Sequence, residues 1–372
     1  MKPGKSAVLR SVKNGLDISE VTQNGFKEYY ISLGLEKGDI DAPLAALFSF
    51  LKETGAGIVL QLIFGEASAK QAVLEKMKKM NGRVNWPVMG LEHDNGKKFP
   101  LSGMQVFAVS GTALKELKQN GLVAGYAYGN ADFDCAVMAN VEPDDRALSL
   151  KEQTFCVYDR AVALLKEAGM DFSNVARTWF YLDKLLDWYK EFNEARTSFL
   201  TKNGIFLKLV PASTGIGARN FESTVLSTAF YAVKPKNKTV KISKIESPMQ
   251  CEAFSYKSAF SRAVEIDTGA VRKLMISGTA SILPDGKSAH AGDLDKQIEL
   301  TLKVVSEILK SRGMDFSNVT RSVLYFKEKG AAPAFKKYCE RSGIPAFPSV
   351  TAYTTVCREE LLFEIELDAV KQ

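Results

Sequence analysis

The heptapeptide Gly-Met-Asp-Phe-Ser-Asn-Val occurs at Gly169–Val175 and again at Gly313–Val319. The match runs beyond it. Gln153, Leu165 and Lys166 recur at the same offset as Gln297, Leu309 and Lys310, and Arg177 and Tyr181 recur as Arg321 and Tyr325. One supersecondary unit has been duplicated, so the fold must be built from copies of a module, and function is to be sought at the seams where copies pack and diverge. At 372 residues the chain exceeds one ordinary core and suits two or three modules.

With 46% hydrophobic and 25% charged residues, the composition is that of a soluble globular protein. The apolar stretch Gly57–Phe64 is too short to span a bilayer. Residues 1–15 carry Lys2, Lys5, Arg10 and Lys13 without an apolar segment, so no secretory signal is read there and a cytoplasmic protein with no membrane partner is expected. Cys135, Cys156, Cys251, Cys339 and Cys357 are scattered and never spaced C-x-x-C, which argues against a disulfide framework and a zinc site; no metal and no cofactor is expected. The net charge of +6 is interleaved with 43 acids, and its densest run, Lys234–Lys244, lacks aromatic residues. It reads as a basic linker over 235–244, with no nucleic-acid partner.

The downstream copy predicts a strand over Arg272–Ser277, an amphipathic helix over Leu294–Arg312 with Ile298, Leu302, Val305, Ile308 and Leu309 on one face, and a strand over Asn318–Phe326. A helix over Pro333–Ser342 and strands over Val350–Val356 and Leu361–Val370 close it. The middle copy repeats the order with helices Leu148–Ala168 and Leu186–Lys202 and strands Val175–Leu182 and Thr224–Val233. An earlier stretch follows the same plan through Lys27–Leu33, Pro43–Thr54, Ile58–Phe64, Ala67–Met80 and Met104–Val109. The expected class is α+β, with β-α-β-α-β modules over 16–112 (degenerate), 113–234 and 245–372. Each sheet, antiparallel or mixed, carries helices on one face only. Its other face is buried if the modules pack as a ring, an intramolecular pseudo-trimer; further oligomerisation stays open.

The segment Ser277-Gly278-Thr279, Gln297, Gly313, the Val319–Phe326 strand and the closing Leu361-Leu362-Phe363-Glu364-Ile365-Glu366 resemble the YjgF/RidA (endoribonuclease L-PSP-like) superfamily, as do Arg177–Leu182, the Tyr189–Phe199 helix and Pro211-Ala212-Ser213. The resemblance implies a chorismate mutase-like module whose sites lie at interfaces between copies. The superfamily's imine and enamine deaminases grip substrate with an arginine at positions that here hold Ser213 and Val350, neither of which gives a charge-assisted fork. Ser261-Arg262-Ala263, Ser277–Ile282, Ser288, His290, Gly292-Asp293 and Cys357–Glu366 are similar to the chorismatases, tandem-module enzymes that hydrolyse the enolpyruvyl ether of chorismate.

On the closing strand, Phe363, Ile365, Leu367 and Ala369 alternate with Glu364, Glu366 and Asp368. The acids form either a solvated face or, if they look into a seam, a desolvated set with a raised proton affinity. The resemblance implies Glu364 as the acid, acting on an enol ether or an imine, with Glu366 beside it. A small-molecule carboxylate is the expected partner, and Arg358, Arg262 and Arg219 are candidates to grip it. Ala280 belongs to the same motif. Cys357 is expected to be an inert thiol lining the pocket. His290 lies in a turn before Asp293, an expected N-cap, and the resemblance keeps it a candidate. Gly215-Ile216-Gly217 lacks a dinucleotide fingerprint and is expected to be a turn or a close backbone approach. The middle closing strand has no matching acid and the first offers only Gln105, so one competent site is expected, between the last module and a neighbour. A non-catalytic binding protein is the alternative class; RNA cleavage ranks last, for want of a basic aromatic surface or paired histidines.

Overall fold

The structure, a computed structural model, describes residues 7–35, 40–93, 101–251 and 258–372. Three successive units share one plan. The first comprises β1 (Val8–Lys13), β2 (Leu16–Thr22), β3 (Lys27–Gly34), α1 (Asp41–Thr54), β4 (Gly57–Phe64), α2 (Ala67–Asn81), β5 (Val88–His93) and β6 (Gly103–Ser110). The second comprises β7 (Lys115–Gln119), β8 (Leu122–Gly129), β9 (Phe133–Val141), α3 (Leu150–Glu167), β10 (Val175–Leu182), α4 (Leu185–Lys202), β11 (Ala212–Asn220) and β12 (Leu226–Pro235). The third comprises β13 (Lys241–Ile245), β14 (Ala263–Asp267), β15 (Arg272–Ala280), α5 (Leu294–Ser311), β16 (Val319–Phe326), α6 (Ala332–Arg341), β17 (Val350–Tyr353) and β18 (Phe363–Lys371).

Strand order is the same in each: β1-β2-β3-β6-β4-β5, β7-β8-β9-β12-β10-β11 and β13-β14-β15-β18-β16-β17. The sheets are mixed, because the helical crossovers make β4/β5, β10/β11 and β16/β17 parallel while the other pairs are antiparallel. The first unit, unreadable by sequence identity, thus has the full topology of the other two. It starts at Val8, ahead of the expected residue 16. The expected 235–244 linker is corrected as well: Lys241–Ile245 is a strand, pairing with β14. Lys241, Ser243 and Lys244 are exposed while Ile242 and Ile245 are half-buried, which suits an edge strand that keeps its charges in water.

The three helix pairs lie on one side of their sheets. Phe363, Ile365, Leu367 and Ala369 of β18 face α5 and α6, as their period-two spacing requires. The opposite faces meet in apolar contact, with Tyr30 and Phe107 from the first unit, Trp179, Tyr181 and Tyr231 from the second, and Val323, Tyr325 and Val350 from the third. The seams are close. β5 continues into β11 antiparallel through Leu91↔Asn220, joining two sheets edge to edge. Gly217 and Thr355 exchange backbone hydrogen bonds at 2.8 and 3.0 Å between the second and third units. Gly217 therefore makes the expected close approach from a strand, not from a turn. Gln105 Nε2 donates to the Ser322 carbonyl at 2.9 Å between the first and third units. Among the described residues no helix is long and apolar enough to cross a membrane.

Candidate functional site

The seam between the second and third units opens into a cavity of about 930 Å³, the size of a small-molecule site. One wall is the third unit's β15 and β18 with Gly278, Ala280 and Glu364. The facing wall is the second unit's β11 and α4, with Ser213, Gly215, Tyr189, Asn193 and Arg196, and Arg262, Cys357 and Arg358 close it from loops.

Glu364 owes its position to a local irregularity. It pairs with Ala280 on β15, and the β15–β18 register shifts between Ile276 and Thr279, a bulge at Ser277-Gly278. A Cβ at Gly278 would stand 2.0 Å from Glu364 Oε1, so the missing side chain is the space the carboxyl occupies. Neighbouring hydrogen bonds fix the bulge: Gly278 N donates to Thr214 Oγ1 at 3.1 Å, Ser213 N donates to Ser277 Oγ at 2.9 Å, and Ser277 Oγ donates to the Ser261 carbonyl at 2.5 Å. Both units thus hold the same few atoms in place.

Glu364 is 4% exposed, and burial, reinforced by the charge of Glu366, pushes its carboxyl up to about 8 against the opposing pull of Arg177 and Arg262. The desolvated alternative for the acidic face is the one realised. Behind Glu364, Glu366 is fully buried. It accepts from Arg177 Nη2 at 2.8 Å, from Trp179 Nε1 at 2.9 Å and from Arg321 Nη2. Arg177 Nη2 also donates to Thr214 Oγ1 at 2.5 Å, and Arg321 donates to Asp368 at 3.3 Å and to Gln105 at 3.1 Å.

The residues singled out in the sequence divide accordingly. Glu364, Arg262, Arg358, Cys357 and Ala280 line one cavity. Arg262 is 2% exposed and donates to the Cys251 carbonyl through Nε and Nη2 at 3.0 and 2.7 Å, and Arg358 Nη1 donates to Ser288 Oγ at 3.0 Å. Burial, with Glu364 nearby, pushes the Cys357 thiol up to about 12, which agrees with an inert thiol. Three candidates need correction. Arg219 pairs with Glu92, its Nε at 2.6 Å, because β11 continues into β5 and carries that side chain to the other seam. Glu366 is buried between two arginines and does not line the cavity. His290 is exposed with φ 57°, and its carbonyl accepts from Gln297 Nε2 at 3.0 Å, a turn leading into Asp293, which caps α5 through Lys296 N.

Sequence reasoning missed the second unit's contribution. Asn193 and Arg196 lie on the α4 stripe that also holds Trp188, Phe192, Ala195 and Phe199. Arg196 is 2% exposed, its guanidinium 5.1 Å from the Phe192 ring centre and 5.6 Å from that of Phe260. A polar pair on an apolar helix face was the available signal. The same signal marked Arg177 and Arg321, each on the buried face of an apolar strand.

Known proteins resemble this chain along most of its length. The family profile "Chorismatase FkbO/Hyg5-like, N-terminal" matches residues 112–230. A 3-hydroxybenzoate synthase of Streptomyces hygroscopicus is 27% identical over 268 residues, covering 65% of this chain and 74% of that protein. A chorismatase of the same organism is 25% identical over 271 residues, covering 67% and 75%. A solved chorismatase structure superimposes with a TM-score of 0.62 at 20% identity, covering 84% of this chain and 92% of that one, and so shares the fold.

Proposed function

We propose, for a tandem-module chain of the YjgF/RidA type that resembles the chorismatases and has their fold, that the cavity cleaves the enol ether of a small unsaturated carboxylate of the chorismate class, with Glu364 as general acid. The observation that carries this reading is a carboxyl that burial keeps protonated to about pH 8 while it lines an intermodular cavity.

An enol ether is protonated on its terminal carbon. The C=C electron pair takes the Glu364 proton as a new C–H bond, and the adjacent carbon becomes an oxocarbenium ion conjugated to the ether oxygen. Water adds to that carbon, and the proton it sheds returns to the Glu364 carboxylate. The hemiketal then collapses. Its hydroxyl proton passes to the ether oxygen, the bond between the hemiketal carbon and that oxygen breaks, the ring keeps the oxygen as a hydroxyl, and pyruvate leaves with its new C=O. Arg262 and Arg358 supply positive charge for the substrate carboxylates, and Ala280 and Cys357 form an uncharged wall that keeps the acid dry.

Pyruvate release from chorismate by the purified protein tests this. Glu364→Gln is expected to lower kcat by about 100-fold or more, the usual worth of a general acid. Because Glu364 must be protonated to act, the wild-type rate is expected to fall as pH rises through about 8. The ring product discriminates further: hydrolysis consumes water and leaves a non-aromatic dihydroxy diene, whereas elimination leaves a hydroxybenzoate, and ultraviolet absorbance separates them. Ligand binding without pyruvate release would leave the non-catalytic binding protein instead.

A further inference from the structure

Glu366 does not line the cavity, yet three side chains from two units donate to its carboxylate. Its two oxygens accept from Arg177 of β10, Trp179 of the same strand and Arg321 of β16, so charged groups from two units meet on one carboxylate. Arg321 stacks against Phe107 of the first unit and Trp179 of the second at 5.4 and 5.6 Å, which removes it from water and fixes its charge. Such a pair contributes little net stability over apolar replacements, because desolvation offsets the attraction. Its placement two residues from Glu364, on the same strand face, calls for another role.

We propose that Glu366, clamped between Arg177 and Arg321, is a positioning residue whose fixed negative charge holds the catalytic proton on Glu364. The role rests on the general-acid reading above. The other groups facing Glu364 or lining the cavity with it are Arg177 from β10, Lys190, Glu194 and Arg196 from α4, Thr214 and Ser213 from β11, Gly278 and Ala280 from β15, Tyr325 opposite it on β16, and Arg262, Cys357 and Arg358 from loops. The cations among them favour ionisation of Glu364. Glu366 is the anion on that face that opposes them at closest range, and its proton affinity is held low by Arg321 and Arg177 against the upward push of burial. It therefore stays charged across the working pH range, while Glu364 does not. Asp368, farther along the strand, is pushed up by burial and engages Arg321 rather than the cavity.

The test is the titration of Glu364 itself, read without substrate as the infrared carboxylic-acid band that Glu364→Gln abolishes. In Glu366→Gln the midpoint is expected to move down by about one to two pH units, the effect of removing a unit charge roughly 7 Å away at an effective dielectric near 20. Glu366→Asp keeps the charge and is expected to restore the wild-type midpoint. Arg177→Gln removes the opposing cation and is expected to move it up, a reversal of sign that simple loosening of the site does not produce. The alkaline limb of the pH–rate profile should follow each shift. Unchanged midpoints in Glu366→Gln and Arg177→Gln, or shifts of the same sign, overturn the proposal. If Glu366→Gln does not fold, Arg177→Gln alone decides by its sign. Absence of pyruvate release with the titration shifts intact would sink the enzymatic reading and leave the charge relation standing.

Discussion

Gly278 shows most directly how one residue makes the site. Its place in Ser277-Gly278-Thr279 was visible in the sequence, but the reason for a glycine was not, because the atom it makes room for lies on a strand more than eighty positions away. Gly278→Ala would put a methyl group 2.0 Å from Glu364 Oε1 and 3.3 Å from Thr214 Cγ2. The backbone there is held by Thr214 and Ser213, so the carboxyl must swing away. We expect kcat to fall about 100-fold, the effect of an ångström-scale misplacement, with the far-ultraviolet spectrum unchanged. Retained turnover would show that Glu364 acts from another rotamer. That Glu364, Glu366 and Asp368 share one face was legible from the strand's alternation, and the family resemblance pointed to Glu364, the one of the three that lines the cavity. The exclusion of Glu366 was not, because it depends on which arginines of the repeat point inward. Arg219 failed for a related reason: sequence neighbours in Gly215–Asn220 diverge in space once β11 is a strand spanning two seams.

Elements were read more reliably than sites because their signals are local. The periodicities placed α5, β10, β16 and α4 within one or two residues of their observed ends. The strands missed were β1, β2, β5, β7, β8, β9, β11, β13 and β14; among them β1/β2 and β7/β8 are hairpins whose Asn14-Gly15 and Asn120-Gly121 turns were signals available in the sequence. The repeated heptapeptide itself is now explained. In both copies the aspartate accepts from the serine N–H at 2.7 Å, the asparagine side chain accepts from the aspartate N–H, and the phenylalanine is buried beneath. This reciprocal cap turns the chain from helix into strand, so each copy kept it. Its hydrogen bonds hold both carboxyls below the usual aspartate range, so the stabilisation is present above that range and is lost as pH falls through the depressed values. Asp171→Ala and Asp315→Ala are each expected to cost about 1 kcal/mol, read as a lower urea midpoint at pH 7. Pyruvate release should persist in both, since neither cap lines the cavity.

At the scale of the whole molecule, three sheets with one strand order turn their unhelical faces inward, and the polar contacts among those faces decide how the units register. One such contact is a buried pair remote from the cavity. Lys273 Nζ of the third unit donates to Glu28 Oε2 and Tyr30 Oη of the first at 2.7 and 2.6 Å and to Tyr231 Oη of the second at 3.2 Å. Tyr128 and Tyr231 both donate to Glu28 Oε1 at 3.1 Å. Burial alone would raise Glu28, but Lys273 overrides it and holds the carboxyl below its ordinary value. That contribution is therefore present above the ordinary carboxylate range and lost on acidification. Lys273→Met would leave Glu28 charged, dry and without its cation, at an expected cost of roughly 3–5 kcal/mol. The double variant Lys273→Met, Glu28→Gln removes the stranded charge and is expected to recover much of the loss. Because the pair joins all three units, the shift should appear in one cooperative denaturation transition. A separate transition confined to one unit in the single variant would show that the modules fold as independent beads and that the inward faces do not form a common core.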